Sequence, residues 1–133
     1  MDSMKVLIAD NEPQIRSLFA SVLGALEIPF DLAADGGECL AKLKTRDYDI
    51  LFLDARMPNG GGVEVLSSLK QSQSSTDTII ISAQDDQTSI QDMFSLGAAA
   101  HLMKPFTSGA IEDVLRTLAD KRKARTGSAS SKP

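Results

Sequence analysis

The sequence is poor in the side chains that build disulfides and zinc sites. Its 133 residues include one cysteine, Cys39, and one histidine, His101. A single cysteine excludes an internal disulfide or a cysteine-rich zinc site, and a single histidine excludes a zinc site made of several histidines. Cys39 lies in a short apolar pattern with Leu40 and Leu43, so we expect burial rather than a functional thiol.

Long apolar runs are also missing. No stretch approaches the roughly 18 residues needed to cross a bilayer, and the first residues lack the basic and then apolar order of a signal peptide. We therefore expect a cytoplasmic protein with no membrane contact. The hydrophobic fraction of 42% and the charged fraction of 24% are those of one globular domain with its own core.

Charge is unevenly distributed along the chain. The net charge is -4, but residues 121–133 contain five basic residues and no acid, so residues 1–120 carry -9. An acidic domain disfavours a nucleic-acid surface. The basic end beside a Ser-rich segment is interpreted as a solvated helix end. We expect a domain over residues 4–122 and a disordered tail over residues 123–133.

Five short apolar runs recur every 20 to 28 residues. This spacing leaves room for one helix between consecutive strands, which is typical of βαβ units. Three runs are nearly continuous in apolar residues, as expected of strands covered on both faces. The predicted strands comprise residues 6–9, 30–33, 50–53, 78–81 and 100–103.

The segments between the runs have helical periodicity, with apolar residues three and four positions apart. Asn11 with Gln14 resembles a capping box, Pro13 suits a first helical turn, and Gly97 suits a helix end. The apolar residues that mark the five predicted helices are Ile15, Leu18, Phe19, Val22, Leu23 and Leu26; Leu40 and Leu43; Val63, Leu66 and Leu69; Ile90, Met93 and Phe94; and Ile111, Val114, Leu115 and Leu118.

Five alternating strands and helices predict an α/β fold, a doubly wound parallel sheet with right-handed crossovers and helices on both faces. For five strands the flavodoxin-like (βα)5 arrangement with strand order 2-1-3-4-5 is the natural candidate. Ligands of such sheets bind beyond the carboxyl ends of the strands, where the strand order reverses. Here that point lies between the first and third strands.

Polar residues stand at these strand ends. Each one alone is explained by an ordinary structural role, such as capping a helix. Together they place at least two carboxylates at one edge, and clustered carboxylates need a cation to coexist. A set of hard oxygen ligands points to Mg²⁺. The residues are Asp10, Asn11 and Glu12 after the first run, Asp54 after the third, Ser82 after the fourth and Lys104 after the fifth.

Three segments and one dipeptide carry a resemblance to a known family. They are VLIADNEP at residues 6–13, DILFLD at 49–54, KPF at 104–106 and Met57-Pro58. The chain resembles the receiver domain of two-component response regulators, of the single-domain, chemotaxis-regulator kind, over about residues 4–122. The resemblance implies a signalling domain that takes a phosphoryl group on an aspartate with the help of Mg²⁺.

The resemblance also implies roles for individual residues. Asp54 matches the phosphoacceptor, and Ser82 and Lys104 match the hydroxyl and the ammonium that contact the phosphoryl group. His101 matches a position, often aromatic, whose side chain reorients on activation. The positions that match the Mg²⁺ ligands are Asp10, Asn11, Asp54 and the backbone carbonyl of Arg56.

The sequence departs from the family at Asn11, where an acid is usual. An amide oxygen can coordinate but brings no charge, so we expect weaker Mg²⁺ binding. Glu12 is a candidate to compensate, either directly or through water, and both routes remain open. The run of glycines at residues 60–62, where the family often has Asp-Gly, is interpreted as simple freedom of the loop.

Three functions follow from these residues. The first is a receiver that takes a phosphoryl group from a sensor histidine kinase or a histidine phosphotransfer protein and switches contacts with a downstream protein effector. It would catalyse only its own phosphotransfer and dephosphorylation. Too few residues follow the fifth helix for a DNA-binding module, so no direct DNA binding is expected from this chain, which can equally be a fragment of a longer regulator.

The second candidate is a receiver-like interaction module that is never phosphorylated, because Asn11 replaces a metal-binding acid. The third is a Mg²⁺-dependent phosphatase with an aspartate nucleophile. In those enzymes the nucleophile ends the first strand in an Asp-x-Asp motif, whereas this strand ends in Asp10-Asn11-Glu12. A flavin site is weaker still, because no phosphate-binding loop follows the first strand.

Overall fold

The computed structural model describes residues 4–59, 61–83 and 87–131, without the side chains of residues 87–89 and 125–131. Strands and helices alternate along this part of the chain. The strands are β1 (Val6–Ala9), β2 (Phe30–Ala33), β3 (Ile50–Asp54), β4 (Asp77–Ser82) and β5 (Ala100–Met103). The helices are α1 (Pro13–Ala25), α2 (Gly36–Thr45), α3 (Gly62–Gln71), α4 (Gln87–Ser95) and α5 (Ser108–Ser131).

The five strands form one parallel sheet in the order β2-β1-β3-β4-β5. This is the predicted flavodoxin-like topology. The predicted strands are confirmed, and β3 and β4 are slightly longer than the apolar runs because they include Asp54, Asp77 and Ser82. The sheet therefore carries two polar side chains, Asp54 and Ser82, to its carboxyl edge as part of the strands themselves.

Two hydrophobic cores lie on opposite faces of the sheet, because successive strand residues point to opposite faces. One core joins residues such as Ile8 and Phe52 to buried residues of α1 and α5. The other joins residues such as Leu7 and Leu53 to buried residues of α2, α3 and α4. Cys39 belongs to the second core, and burial raises the pKa of its thiol to about 12. The expectation that Cys39 is buried is therefore confirmed.

The start of α1 differs from the sequence prediction. Pro13 occupies the first turn as expected, but the N-cap residue is Glu12, whose side chain makes no capping hydrogen bond. The predicted capping box of Asn11 and Gln14 is therefore wrong. Asp10 Oδ1 instead accepts a hydrogen bond from the backbone N–H of Glu12 at 2.8 Å, so the residue that ends β1 also fixes the entry into α1.

The beginning of α3 is also not as the apolar pattern predicted. Leu66 is buried and Leu69 is partly buried, as predicted, but Val63 is exposed, and the helix also buries Gly62 and Val65. A Cβ atom on Gly62 would lie 2.8 Å from Cε of Met93, so a larger residue there would displace the flexible end of that side chain. Gly62 thus lies in the buried start of α3 rather than in the loop, and Gly60 lies outside the described residues.

The last helix is longer than expected. α5 is helical to Ser131, whereas a disordered tail was predicted for residues 123–133, of which 132–133 lie outside the described residues. Arg122 anchors the helix, donating to Asp77 Oδ2 at 3.0 Å and to Asp49 Oδ1 at 3.1 Å. Leu118 is its last residue in the core. A helix extends at little cost from an anchored turn, which accounts for the additional turns beyond Arg122. Disorder of residues 123–133 stays a prediction.

The end of α4 agrees with the prediction. Gly97 has a φ of +105°, and the N–H groups of Gly97 and Ala98 donate to the last carbonyls of the helix. In the part of the chain that is described, no helix is long and apolar enough to cross a membrane.

Candidate functional site

The candidate site lies at the carboxyl edge of the sheet, where the strand order reverses between β1 and β3. Asp10 follows β1, Asp54 ends β3 and Lys104 follows β5. The ammonium group of Lys104 lies 3.3 Å from Asp10 Oδ2 and 3.8 Å from Asp54 Oδ2. The sequence-predicted acids and the predicted lysine thus meet in one cluster, as expected of residues at the ends of parallel strands.

Asp54 is almost completely buried within this cluster, with 5% of its surface exposed. Its Oδ1 accepts a hydrogen bond from the backbone N–H of Arg56 at 3.1 Å. Burial, followed by the nearby charge of Asp10, raises the pKa of Asp54 to about 6. The ionised carboxylate is therefore held in an unfavourable place, as is common for groups with a chemical role.

Asp10 is fully buried, and its two oxygens have different surroundings. Oδ1 accepts the Glu12 N–H, whereas Oδ2 finds no hydrogen-bond donor in the described part of the chain, although the Lys104 ammonium lies at ion-pair distance. Burial raises the pKa of Asp10 as well. An unsatisfied carboxylate oxygen beside a second buried carboxylate is a site that a hard divalent cation would stabilise.

The donor set for such a cation contains few charges. The Asn11 side chain is exposed and neutral. Among the described residues, no group of three or more His, Cys, Asp or Glu side chains is arranged to hold a metal ion. A cation at this edge would be held by the carboxylates of Asp10 and Asp54 together with neutral oxygens, of which the Asn11 amide oxygen and the Arg56 carbonyl are the two that the family resemblance implies. These residues fit Mg²⁺, but they bring one negative charge fewer than a site with an acid at position 11 would.

Lys104 has its closest contact with Glu12 rather than with either aspartate. Its Nζ donates to Glu12 Oε1 at 2.5 Å. Burial lowers the pKa of Lys104, but the hydrogen bond to Glu12 and the charges of Asp54 and Asp10 outweigh it, so the pKa is raised overall. Lys104 is therefore a firmly charged ammonium with three carboxylates around it.

Ser82 and His101 are joined directly across β4 and β5. Ser82 is buried at the end of β4, and its Oγ lies 2.5 Å from Nε2 of the half-buried His101. The strand register pairs His101 with Ile80, two residues before Ser82, so the imidazole reaches along the sheet toward the site. The two residues expected to respond to phosphorylation are in contact.

Sequence reasoning missed one side chain of the site. Arg16 donates from Nη1 to the backbone carbonyl of Asp10 at 2.7 Å. It lies one helical turn after the N-cap Glu12, and helical side chains point back toward the N-terminus. Its position in the first turns of α1 is the signal that could have identified it.

Comparison with known proteins identifies the class. The family model for the response regulator receiver domain matches residues 6–116, most of the chain. The chain therefore belongs to the family of response regulator receiver domains. Receiver domains are phosphoacceptor signalling domains rather than classical enzymes, and they generally bind Mg²⁺ at the phosphorylation site.

Relatives with described functions differ in length. The chain is 31% identical to the transcriptional regulatory protein ResD of Bacillus subtilis over 90% of this chain and 49% of ResD. It is 30% identical to sporulation initiation phosphotransferase F of the same organism, over 87% of this chain and 94% of that protein. The chain spans about half the length of ResD and of another curated relative, and nearly the whole of phosphotransferase F.

A solved structure supports the same assignment. The receiver domain of the Francisella response regulator 1452 has a TM-score of 0.82 and 28% sequence identity. The match covers 91% of this chain and all of that domain. This structural similarity agrees with the topology of the sheet and with membership of the receiver family.

Proposed function

We propose that this chain accepts a phosphoryl group on Asp54 from a histidine kinase or a histidine phosphotransfer protein and thereby switches its contacts with an effector protein. One observation carries the proposal. Asp54 is a buried carboxylate with a raised pKa, and the cationic Lys104 and a second buried carboxylate, Asp10, lie beside it. This is the arrangement of a nucleophile surrounded by groups that stabilise added negative charge.

In the proposed reaction an Asp54 oxygen attacks the phosphorus atom of phosphohistidine. The bond between phosphorus and nitrogen breaks, and the imidazole leaves with the electron pair. Phosphoryl transfer depends mostly on positioning and on stabilisation of charge. Lys104 is placed to approach the phosphoryl oxygens. Mg²⁺, held by Asp10, Asp54 and the Arg56 carbonyl, would supply the remaining neutralising charge.

Ser82 is proposed to report the phosphoryl group to the rest of the domain. Its hydroxyl contacts His101 in the unphosphorylated structure. A phosphoryl oxygen is a strong acceptor for the Ser82 hydroxyl, because hydrogen bonds to charged groups are roughly twice as strong as those between neutral groups. When the hydroxyl turns to that oxygen, His101 loses its partner, and the surface around β5 changes.

The proposal is tested by intact-mass analysis after incubation with acetyl phosphate, with and without Mg²⁺. We expect the wild type to gain about 80 Da, the mass of one phosphate group, in a Mg²⁺-dependent manner. Asp54→Asn should gain nothing. A wild type that stays unlabelled while it binds Mg²⁺ would instead support the unphosphorylated interaction module, and full labelling of Asp54→Asn would refute the assignment.

Restoring the acid missing at position 11 is expected to tighten Mg²⁺ binding. Asn11→Asp adds a charge beside Asp10, and one unit charge about 4 Å from a cation is worth up to about 4 kcal/mol per cation charge before solvent compensates. We expect a gain of about tenfold or more after screening. Calorimetric titration measures it. An unchanged affinity would mean that another oxygen already fills the place.

A further inference from the structure

Glu12 is the residue of the site whose role the family resemblance leaves open. Its carboxylate lies beside the missing acid, so it is a candidate to fill that place. In the structure the Glu12 carboxylate instead contacts two neighbouring side chains. Glu12 Oε1 accepts the Lys104 ammonium at 2.5 Å, and Glu12 Oε2 accepts Nε2 of Gln14 at 3.0 Å. Both oxygens are engaged, so Glu12 would have to give up a contact to approach a cation.

The contact also affects Lys104. Its ammonium lies 1.3 Å farther from Asp54 Oδ2 (3.8 Å) than from Glu12 Oε1 (2.5 Å). In the unphosphorylated protein the lysine is therefore held by the more exposed carboxylate of Glu12, at the rim of the site. To contact a phosphoryl group on Asp54, Lys104 must shift inward, or it must share its three N–H donors between the two acceptors.

The added charge makes this sharing costly. A phosphoryl group on Asp54 adds negative charge close to the existing carboxylates. Glu12 then competes with the phosphoryl oxygens for the same ammonium, and it also repels them. Asn11 is neutral and does not compete for Lys104. Of the two residues that follow Asp10, Glu12 is therefore the one whose charge acts on Lys104.

We infer that Glu12 is a positioning residue that holds Lys104 in the unphosphorylated protein and must release it when Asp54 is phosphorylated, and that Glu12 does not replace the acid missing at position 11. This inference rests on the proposed function. It makes the uptake of the phosphoryl group a competition between two acceptors for one lysine, and Glu12 sets how readily the site responds.

The test compares beryllofluoride affinity, measured by NMR titration at saturating Mg²⁺, in the wild type and two variants. Glu12→Gln removes the charge, and Glu12→Asp keeps the charge but shortens the reach by one methylene. Aspartate is also a favoured N-cap residue, so this variant should fold. We expect both variants to bind beryllofluoride more tightly, by about three- to tenfold for Glu12→Gln.

The matched control is Glu27→Gln, which removes one exposed carboxylate beyond the far end of α1. The helix has 13 residues, so the control is about 20 Å from Glu12, beyond the screening length of physiological salt. It should bind beryllofluoride as the wild type does. If the Glu12 variants bind no more tightly than this control, the inference is wrong.

Two further readouts do not depend on the affinity for beryllofluoride. A through-hydrogen-bond coupling between Lys104 Nζ and the carboxylate carbon of Glu12 should be present without Mg²⁺ and absent with beryllofluoride. Its persistence with beryllofluoride would overturn the release of Lys104. Glu12→Gln should weaken Mg²⁺ binding by less than tenfold, and a larger loss would show that Glu12 is a metal ligand. A wild type that binds no beryllofluoride would refute the proposed function itself.

Discussion

Replacing Asp54 with asparagine is expected to raise the free energy of unfolding at pH 7 by about 1–3 kcal/mol in the absence of Mg²⁺. Burial and the neighbouring Asp10 raise the pKa of Asp54 from 3.8 to about 6. In the unfolded chain the group has its ordinary pKa, so the folded state binds the proton more tightly. The stability of the wild type should therefore fall as the pH rises from about 4 to about 6, with the full penalty present above that range.

The asparagine variant lacks this titration, and its amide oxygen can still accept the N–H of Arg56. Its advantage over the wild type should be small at pH 4 and should grow until about pH 6.5. Urea unfolding followed by circular dichroism, in chelator, measures this at both ends of the range. The control is Asp113→Asn, an exposed aspartate of α5, which should change stability by less than about 0.5 kcal/mol. If the Asp54→Asn variant is no more stable than the wild type at pH 7, burial of the ionised Asp54 carboxylate does not destabilise the fold.

Replacing Ser82 with alanine is expected to separate phosphorylation from its structural consequence. Asp54 keeps its surroundings in Ser82→Ala and should still accept a phosphoryl group. In the wild type the Ser82 hydroxyl lies 2.5 Å from Nε2 of His101. The variant lacks this contact before phosphorylation, so phosphorylation cannot break it. Most of the chemical-shift change that beryllofluoride causes at residues 100–106 should be lost. A coupling between two sites of this kind is typically worth about 1–3 kcal/mol. Amide chemical shifts recorded with and without beryllofluoride and Mg²⁺ measure that response.

The matched control is Ser72→Ala. That hydroxyl donates to the Leu69 carbonyl at the end of α3, where it is exposed, and its removal should leave the response at residues 100–106 unchanged. If Ser82→Ala responds as strongly as the wild type and the control, the signal does not pass through the contact between Ser82 and His101.

The fold was predictable because its signals are local. Apolar runs such as residues 50–53 are strands in the structure, since a short, doubly covered strand needs little more than continuous apolar residues. Errors arose at the helix starts, where the boundary is set by tertiary contacts. Asn11 and Gln14 have the spacing of a capping box, yet the helix begins one residue later, with Glu12 as the N-cap. Val63 fits the helical stripe but is exposed, whereas Val65 is buried.

Most residues of the candidate site were predictable from the sequence, with Arg16 as the exception, but their contacts were not. The strand order places Asp10, Asp54 and Lys104 at one edge. The direction of a long, flexible side chain does not follow from strand order, so the sequence left open whether Glu12 faces a metal ion. The structure shows that it faces Lys104, a residue 92 positions away in the chain. That choice depends on three-dimensional distances that no periodicity contains.

The central claim is that Asp54 is the residue that carries the phosphoryl group, and locating the acyl phosphate tests it most directly. Borohydride reduces an aspartyl phosphate to homoserine, a stable mark that peptide sequencing by mass spectrometry can place. After incubation with acetyl phosphate and Mg²⁺, we expect homoserine at position 54 and at no other aspartate. Homoserine at position 10, or its absence from a protein that has gained the mass of a phosphate group, would show that Asp54 does not carry the phosphoryl group.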